Sequence, residues 1–371
     1  MTVTQEQPGA EHTAPHPSKL APRSRLSAVP LIYIALVLVL LVGAVLMAVN
    51  GKNLFAGGNI VDMLTRSSLL GFIAIGQTLV VLCRSLDLSV GYVAALSSLV
   101  AATTMAGEPS RIVLGVAAAL GVSALVGLFN GVITTKFKVH AFITTLGSGL
   151  IIKGYLDTQY PGPAGEVPAG FQAFGYTRIG VLPMSTAIML VVAVLGVVLL
   201  RRTRMGYSMY AVGGSDEVAR FSGIRTDRTM IVAHVLCSTA AGVAGLLLAS
   251  RFGTGVGSQI YGSGYDLDSI AAVVLGGTLL LGGRGGIGGT IAGVLILGVL
   301  DTVFNELQID PFFREVLRGV IIITAVAIYA RRQIDPTKSR TRFGNKAIPP
   351  PPSVGTVSER PPEDDTGGGK P

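Results

Sequence analysis

The sequence predicts an all-α polytopic membrane protein with about ten transmembrane helices and both termini in the cytoplasm. Half of the 371 residues are hydrophobic and only 13% are charged, whereas a soluble domain carries roughly 25% charged residues. The long apolar runs lack the period-2 alternation of a membrane barrel, and the 49 glycines suit close packing between membrane helices. The surplus apolar surface is therefore expected to face lipid.

Ten apolar runs are candidate membrane spans. They lie at 31–49, 67–83, 88–106, 112–133, 139–156, 183–200, 229–250, 267–283, 287–304 and 314–330. Several are close to the lower limit of about 17 residues, which leaves room for tilted, broken or re-entrant helices. The first run starts too late in the chain for a secretory signal, so we expect it to remain as an uncleaved span.

The chain divides by composition into a membrane domain and two polar tails. We expect a disordered cytoplasmic tail over 1–30, a transmembrane domain over 31–330, and a disordered Pro/Gly-rich cytoplasmic tail over 331–371.

With the N-terminus inside, the loops that carry most Lys and Arg all face the cytoplasm, above all the basic loop 201–228. Spans 2 to 5 and 7 to 10 then run in opposite senses, which permits inverted repeats, although the halves show no convincing sequence match.

The net charge of +8 does not indicate a nucleic-acid partner. The basic residues lie in short loops and tails between apolar runs, where they set the orientation in the membrane. Cys83 and Cys237 are far apart in the sequence and lack the spacing of metal ligands, so neither a disulfide framework nor a metal site is predicted.

The stretch 282–289 reads GGRGGIGG and contains the pattern G-x-G-x-x-G. A dinucleotide site would need a surrounding soluble βαβ unit, whereas this stretch joins two membrane spans. We interpret it as a tight turn followed by small-residue helix packing. The glycines assigned to this role are Gly282, Gly283, Gly285, Gly286, Gly289 and Gly293.

Ionisable residues near the predicted spans are few. The main ones are Arg84, Asp87, Lys153, Asp266, Asp268, Arg284, Asp301 and Glu306. Most of them lie close to a span end, where anchoring at the membrane interface is the expected role, and Asp301 is the deepest acid. The shortage of mid-span acids argues against ion coupling, and no acid–base or metal cluster with usable spacing indicates a membrane enzyme.

Polar residues inside the spans have two possible roles. For Gln77, Asn130 and His234, hydrogen bonding between helices is the ordinary role, and contact with a transported solute is the alternative. The candidates for a translocation pathway are Gln77, Asp87, Ser89, Asn130 and Asn305.

Within the loop 201–228, the segment GGSDEVARFSGIRTDR has helix-compatible spacing. Ser215 is placed to cap the helix ahead of Asp216 and Glu217. Such a helix is either a solvated element or a docking surface for a partner. The sequence holds no G-x-x-x-x-G-K-[ST], so we expect any energy from ATP to come from another subunit.

Three long segments carry a family pattern. They are GQTLVVLCRSLDLSVGYVAALSSLVAA at 76–102, GLFNGVITTKFKVHAFITTLG at 127–147, and GYDLDSIAAVVLGGTLLLGGRGGIGGTIAGVLILGVL at 264–300. Together they resemble the ribose/xylose/galactose type of ABC sugar permease, in the superfamily that includes branched-chain amino acid permeases. The resemblance covers roughly residues 60–330. The chain departs from the pattern at 83–85, His140 and Ala141.

The resemblance implies a permease subunit of a bacterial cytoplasmic-membrane importer that moves a simple sugar by alternating access. Its implied partners are a cytoplasmic ATPase that holds ATP and Mg, an extracytoplasmic sugar-binding protein and a second permease chain. The permease itself is expected to bind no cofactor and to catalyse no reaction. Branched-chain amino acids, nucleosides and other small polar solutes remain alternative substrates, and a secondary transporter is a more distant alternative.

The resemblance also implies a role for the helix in the loop 201–228. Glu217, Ala219 and Gly223 fit the coupling motif E-A-A-x-x-x-G of importer permeases, with Val218 in place of the first alanine. The candidate coupling residues are Ser215, Asp216, Glu217, Ala219 and Gly223.

Overall fold

A computed structural model describes residues 28–310, 312–314, 316–317, 319–320 and 323–324. Residues 28–310 form thirteen α-helices, a 3₁₀ turn at Pro109–Arg111 and a hairpin of β1 Arg178–Ile179 with β2 Leu182–Pro183. The helices are α1 Ala28–Val49, α2 Gly57–Leu82, α3 Val90–Met105, α4 Ile112–Lys136, α5 Ala141–Gln159, α6 Ala169–Tyr176, α7 Met184–Arg202, α8 Arg204–Gly214, α9 Asp216–Phe221, α10 Thr226–Phe252, α11 Ser258–Tyr261, α12 Tyr265–Leu275 and α13 Ile287–Glu306. The predicted tail 331–371 lies outside the described residues, as does the tail 1–30 except for its last three residues.

The predicted class, an all-α polytopic membrane protein, is confirmed. Among the described residues, six helices are long and apolar enough to cross a bilayer, namely α1, α2, α4, α7, α10 and α13. Helix α3 is apolar but shorter, with 16 residues. The count of ten spans stays a prediction, because most of the tenth span, 314–330, lies outside the described residues.

Span 8 is a half-length helix. The sequence predicts a span over 267–283, but α12 ends at Leu275 after 11 residues, which reach about 16 Å of a hydrocarbon core roughly 30 Å thick. The chain then turns through residues 276–286, where Leu279 N–H donates to the Arg284 carbonyl at 3.0 Å. This segment is a broken helix, of the kind that the short apolar runs leave room for.

Helix α10 lies at the centre of the bundle and packs against α2, α3 and α4. Glycines allow these close contacts. A Cβ at Gly76 would lie 2.8 Å from Cys237 Cα, and a Cβ at Gly127 would lie 2.6 Å from the His234 carbonyl oxygen. Helix α2 is buried from Ser67 to Leu82, whereas α1 exposes large apolar side chains suited to lipid.

The loops gather at two opposite ends of the bundle. At one end Lys136 forms an ion pair with Asp227 at 2.9 Å, which joins the end of α4 to the start of α10. At the other end Gly107 N–H donates to the Glu166 carbonyl at 2.8 Å, and Tyr176 Oη donates to the Arg251 carbonyl at 2.7 Å. The first end holds the described loops that the charge asymmetry assigns to the cytoplasm, so we refer to it as the inner end and to the other as the outer end.

The contact between α12 and α13 gives a stability prediction. A Cβ at Gly289 would clash with the Gly276 carbonyl oxygen, whereas a Cβ at the adjacent Gly288 meets open space. Gly289→Ala is expected to destabilise the purified protein by about 1–3 kcal/mol, because overpacking forces the backbone to shift. Gly288→Ala is the matched control. Thermal unfolding in detergent compares the two, and equal melting temperatures would contradict the predicted contact.

Candidate functional site

The connection between α2 and α3, residues 83–89, is enclosed in the bundle. Asp87 and Ser89 are both 0% exposed. The prediction that Asp87 anchors a span end at the membrane interface is therefore wrong, because helices distant in sequence cover the connection. A buried carboxylate is costly unless hydrogen bonds replace its water, so its contacts decide what this site does.

Among the described residues, four donors surround the Asp87 carboxylate. Oδ1 accepts from the Ser89 backbone N–H at 2.9 Å and from the Ser89 hydroxyl at 2.6 Å. Oδ2 lies 3.4 Å from His234 Nδ1 and 3.5 Å from the Ser238 hydroxyl, both on α10. The Ser89 contacts also fix the first turn of α3, where backbone N–H groups have no helical partner.

Further side chains form hydrogen bonds with other groups of the connection. The Gln77 amide, oriented to match its neighbours, donates to the Asp87 carbonyl at 3.1 Å and accepts from the Asp87 N–H at 3.2 Å. Asn130 on α4 donates to the Ser89 hydroxyl at 2.9 Å, and Thr145 on α5 accepts from Leu88 N–H at 3.1 Å. The connection is thus held by α2, α4, α5 and α10. We name Gln77, Asp87, Ser89, Asn130, His234 and Ser238 the buried polar network.

Ser85, which lies beside the buried polar network, forms a chain of contacts with His234 and Asp87. Ser85 Oγ lies 3.0 Å from His234 Nε2, and His234 Nδ1 faces Asp87. This connectivity is that of a hydrolase triad. Ser85 is only 6% exposed, which leaves a substrate carbonyl no approach to its hydroxyl, so the geometry supports a structural role.

The network lies inside the membrane domain rather than at its surface. His234 is eight residues from the start of α10 and Asn130 is six residues from the end of α4, which are depths of about 12 Å and 9 Å from the inner end. Ionisable groups at such depth are rare and generally functional. The Asp87–His234 pair could not be found from the sequence, since no short motif links residues 147 positions apart.

The glycine-rich turn contacts the end of α2. Gly283 N–H donates to the Leu82 carbonyl at 3.0 Å, and Gly286 N–H donates to the Thr278 hydroxyl at 3.2 Å. Gly282, Gly283 and Gly285 have φ values of 78°, 70° and 131°, which favour glycine. On α13, Gly289 packs on Gly276 and Gly293 packs on Ala272.

Helix α8 joins the same contact and leads directly into α9. A Cβ at Gly213 would clash with the Leu82 carbonyl oxygen and with Gly283 N. The backbones of α2, α8 and the glycine-rich turn therefore meet at Gly213. This position is two residues before Ser215, the cap of α9. Helix α8 is thus in direct contact with the end of α2, which leads into the buried connection.

Helix α9 presents a surface at the inner end. Ser215 caps it by accepting from Val218 N–H at 3.3 Å, as its position ahead of Asp216 predicts. Ala219 faces inward at 3% exposure, whereas Val218 and Phe221 are 63% and 85% exposed. Glu217 and Gly223 are also exposed, and Gly223 has a φ of 80°. The exposed residues form what we name the α9 surface: Glu217, Val218, Phe221 and Gly223.

The five pathway candidates do not form one site. Gln77, Asp87, Ser89 and Asn130 meet in the buried polar network. Asn305 lies instead near the outer end, in a cavity that also contains Arg66 and Asp301. Sequence spacing could not separate these two groups.

Comparison with known proteins finds a family and relatives. The family model described as branched-chain amino acid transport system, permease component, matches residues 59–326. Ribose import permease protein RbsC of Escherichia coli strain K12 is 36% identical over 301 residues, covering 79% of this chain and 92% of that protein. RbsC of Bacillus subtilis strain 168 is 37% identical over 275 residues, covering 73% and 84%. Galactose/methyl galactoside import permease protein MglC of Escherichia coli strain K12 is 32% identical over 300 residues, covering 74% and 88%. No solved structure matches significantly.

The buried polar network gives a second stability prediction. Asp87→Ala is expected to lower the free energy of unfolding by about 3–5 kcal/mol, because it removes the common acceptor and leaves buried donors unpaired. Glu108→Ala, at an exposed outer turn, is the control and should stay within about 0.5 kcal/mol of the unsubstituted protein. Denaturant titration in mixed micelles measures both. Equal stability of the two variants would contradict the role of Asp87.

Proposed function

Because this chain belongs to the permease-component family of branched-chain amino acid transport systems, we propose that it is the membrane-spanning subunit of an ABC importer for a simple sugar. It is a multi-pass protein of the cytoplasmic membrane. The observation that carries the proposal is its similarity, over 73–79% of its length, to permeases named for ribose or galactose import. The family description names amino acids. The sugar permeases, however, are similar to this chain over most of its length, which favours a sugar as the substrate.

The α9 surface is the proposed contact with the ATPase. The sequence lacks a P-loop, so ATP and Mg are bound by a separate cytoplasmic subunit in this scheme. Val218 and Phe221 offer an apolar contact beside the carboxylate of Glu217, on a helix fixed by its Ser215 cap. Gly223 lets the chain turn sharply from α9 into α10.

Helix α8 supplies the path for movement. When two ATPases close on ATP, α9 is displaced and α8 moves with it. Helix α8 contacts the Leu82 carbonyl, so its movement displaces the end of α2. The connection after α2 is the segment held by the buried polar network. We infer that coupling shifts this connection and α10 together, which alternates access between two paired permease chains. An extracytoplasmic binding protein delivers the sugar at the outer end.

The burial of Asp87 and His234 bears on ion coupling. The sequence shows no acid that is mid-span by position, yet Asp87 and His234 lie buried within the membrane domain. A proton-coupled secondary transporter therefore remains the alternative to test. The α9 surface and the family membership favour the importer.

Reconstitution distinguishes these functions. The chain is placed in proteoliposomes with its cognate ATPase and binding protein, and uptake of labelled ribose, galactose and leucine is measured with and without internal ATP. We expect uptake of a sugar that requires ATP and the ATPase and survives a protonophore. Sugar uptake by the chain alone under a proton gradient, or ATP-dependent uptake of leucine only, would overturn the proposal.

Substitution at the α9 surface tests the coupling contact. Glu217→Lys and Gly223→Val are expected to reduce ATP-dependent uptake by at least about tenfold, because one reverses a charge and the other strains a turn that requires positive φ. Membrane insertion and yield should not change. Gly214→Ala, at a glycine with open space around its Cβ position, is the control. Wild-type uptake in both variants would exclude the α9 surface as the ATPase contact.

A further inference from the structure

A polar cavity of about 290 Å³ lies between α2, α12 and α13 near the outer end. Its volume is close to the lower end of the roughly 300–1,000 Å³ typical of small-molecule sites. Ser67 is one of the residues that line the cavity. It lies ten residues, or about 15 Å, from the start of α2. The cavity therefore extends from the outer end toward the middle of the bundle.

Charged and amide groups from α2, α12 and α13, together with Arg314, line this cavity. Asp62 and Arg66 are one helical turn apart on α2, Asp301 and Asn305 are one turn apart on α13, and Asp268 is in the first turn of α12. The interfacial role expected of residues near a span end, such as Asp268, does not explain this convergence. Carboxylates accept hydrogen bonds from hydroxyl groups, and a guanidinium donates several in a fixed plane. Such a set suits a molecule with several adjacent hydroxyl groups.

An unsatisfied hydroxyl supports the same conclusion independently. Ser67 is 2% exposed, and its Oγ has no hydrogen-bond partner among the described residues. By contrast, Thr302, which also lines the cavity, donates to the Gly298 carbonyl at 2.8 Å. A buried hydroxyl without a partner is unfavourable, so a hydroxyl-bearing ligand beside Ser67 would remove that cost.

The cavity also offers apolar surface. Tyr265 and Leu70 line it together with the charged groups. A simple sugar presents hydroxyl groups around its edge and a C–H face on each side of its ring, so it matches both kinds of surface. A free amino acid would instead bring an ammonium and a carboxylate.

We propose that this cavity is a solute subsite of the permease that takes one simple sugar after its release at the outer end. This proposal rests on the proposed importer function and assigns it a place in the chain. Arg66, Asp301 and Asn305 are the residues expected to contact sugar hydroxyl groups. The competing possibility is that the same residues form a docking surface for the binding protein.

Transport by the complete complex separates these possibilities. Arg66→Gln and Asp301→Asn are expected to lower sugar uptake by about tenfold, the effect of losing one charge-assisted hydrogen bond. The concentration of binding protein that half-stimulates ATP hydrolysis should not change. Arg111→Gln and Glu108→Gln, exposed at an outer turn, are the matched controls and should transport normally. A failure of the unsubstituted complex to import any sugar would refute the proposed function instead.

Two outcomes of this experiment would overturn the subsite. One is normal uptake in both cavity variants. The other is a several-fold rise in the half-stimulating concentration of binding protein together with recovery of uptake at saturating binding protein, which would assign the residues to docking.

Cysteine protection provides an independent measurement. In the complete complex, Asn305→Cys is labelled with a polar maleimide, and the native Cys83 and Cys237 are buried at 1% and 0% exposure. Saturating ribose or galactose, whichever is transported, is expected to slow labelling at residue 305 several-fold. Glu108→Cys should react at the same rate with and without sugar. Equal rates at residue 305 under both conditions would contradict the subsite.

Discussion

The carboxylate of Asp87 lies where water does not reach it, and donors from its own connection and from α10 take the place of that water. In an apolar membrane domain an irregular connection survives only if the protein satisfies its backbone groups. Gln77 does so at Asp87, and Thr145 does so at Leu88. The result is a fixed junction at which α2, α3, α4, α5 and α10 meet.

Helix α2 joins the features on which the proposed transport depends. Ser67 lines the outer cavity, Gln77 holds the buried connection about 15 Å further along, and the Leu82 carbonyl meets the glycine-rich turn at the inner end. The helix is buried throughout this length, so it is shielded from lipid. A rigid element of this kind can transmit a displacement from one end of the bundle to the other without a change in its own structure.

The glycines act mainly through the contacts they permit. Close approach of α12 to α13 and of α8 to the end of α2 brings backbone against backbone. Interfaces of this kind are set by van der Waals contact and hydrogen bonding, because lipid provides little hydrophobic drive between helices. The same contacts place the half-length α12 with its first turn beside the outer cavity, where Asp268 joins residues of α2 and α13.

Hydropathy, charge asymmetry and local motifs determine the class of this protein, the two groups of loops and the Ser215 cap, because these depend on neighbouring residues and on the surrounding solvent. Tertiary structure alone decided that Asp87 is buried rather than interfacial, that it faces His234, and that Asn305 belongs with Arg66 and Asp301. It also ended α12 at Leu275, inside a run that is apolar to residue 281. Burial and pairing depend on which distant segments pack together, and the hydropathy along the chain does not specify which segments these are.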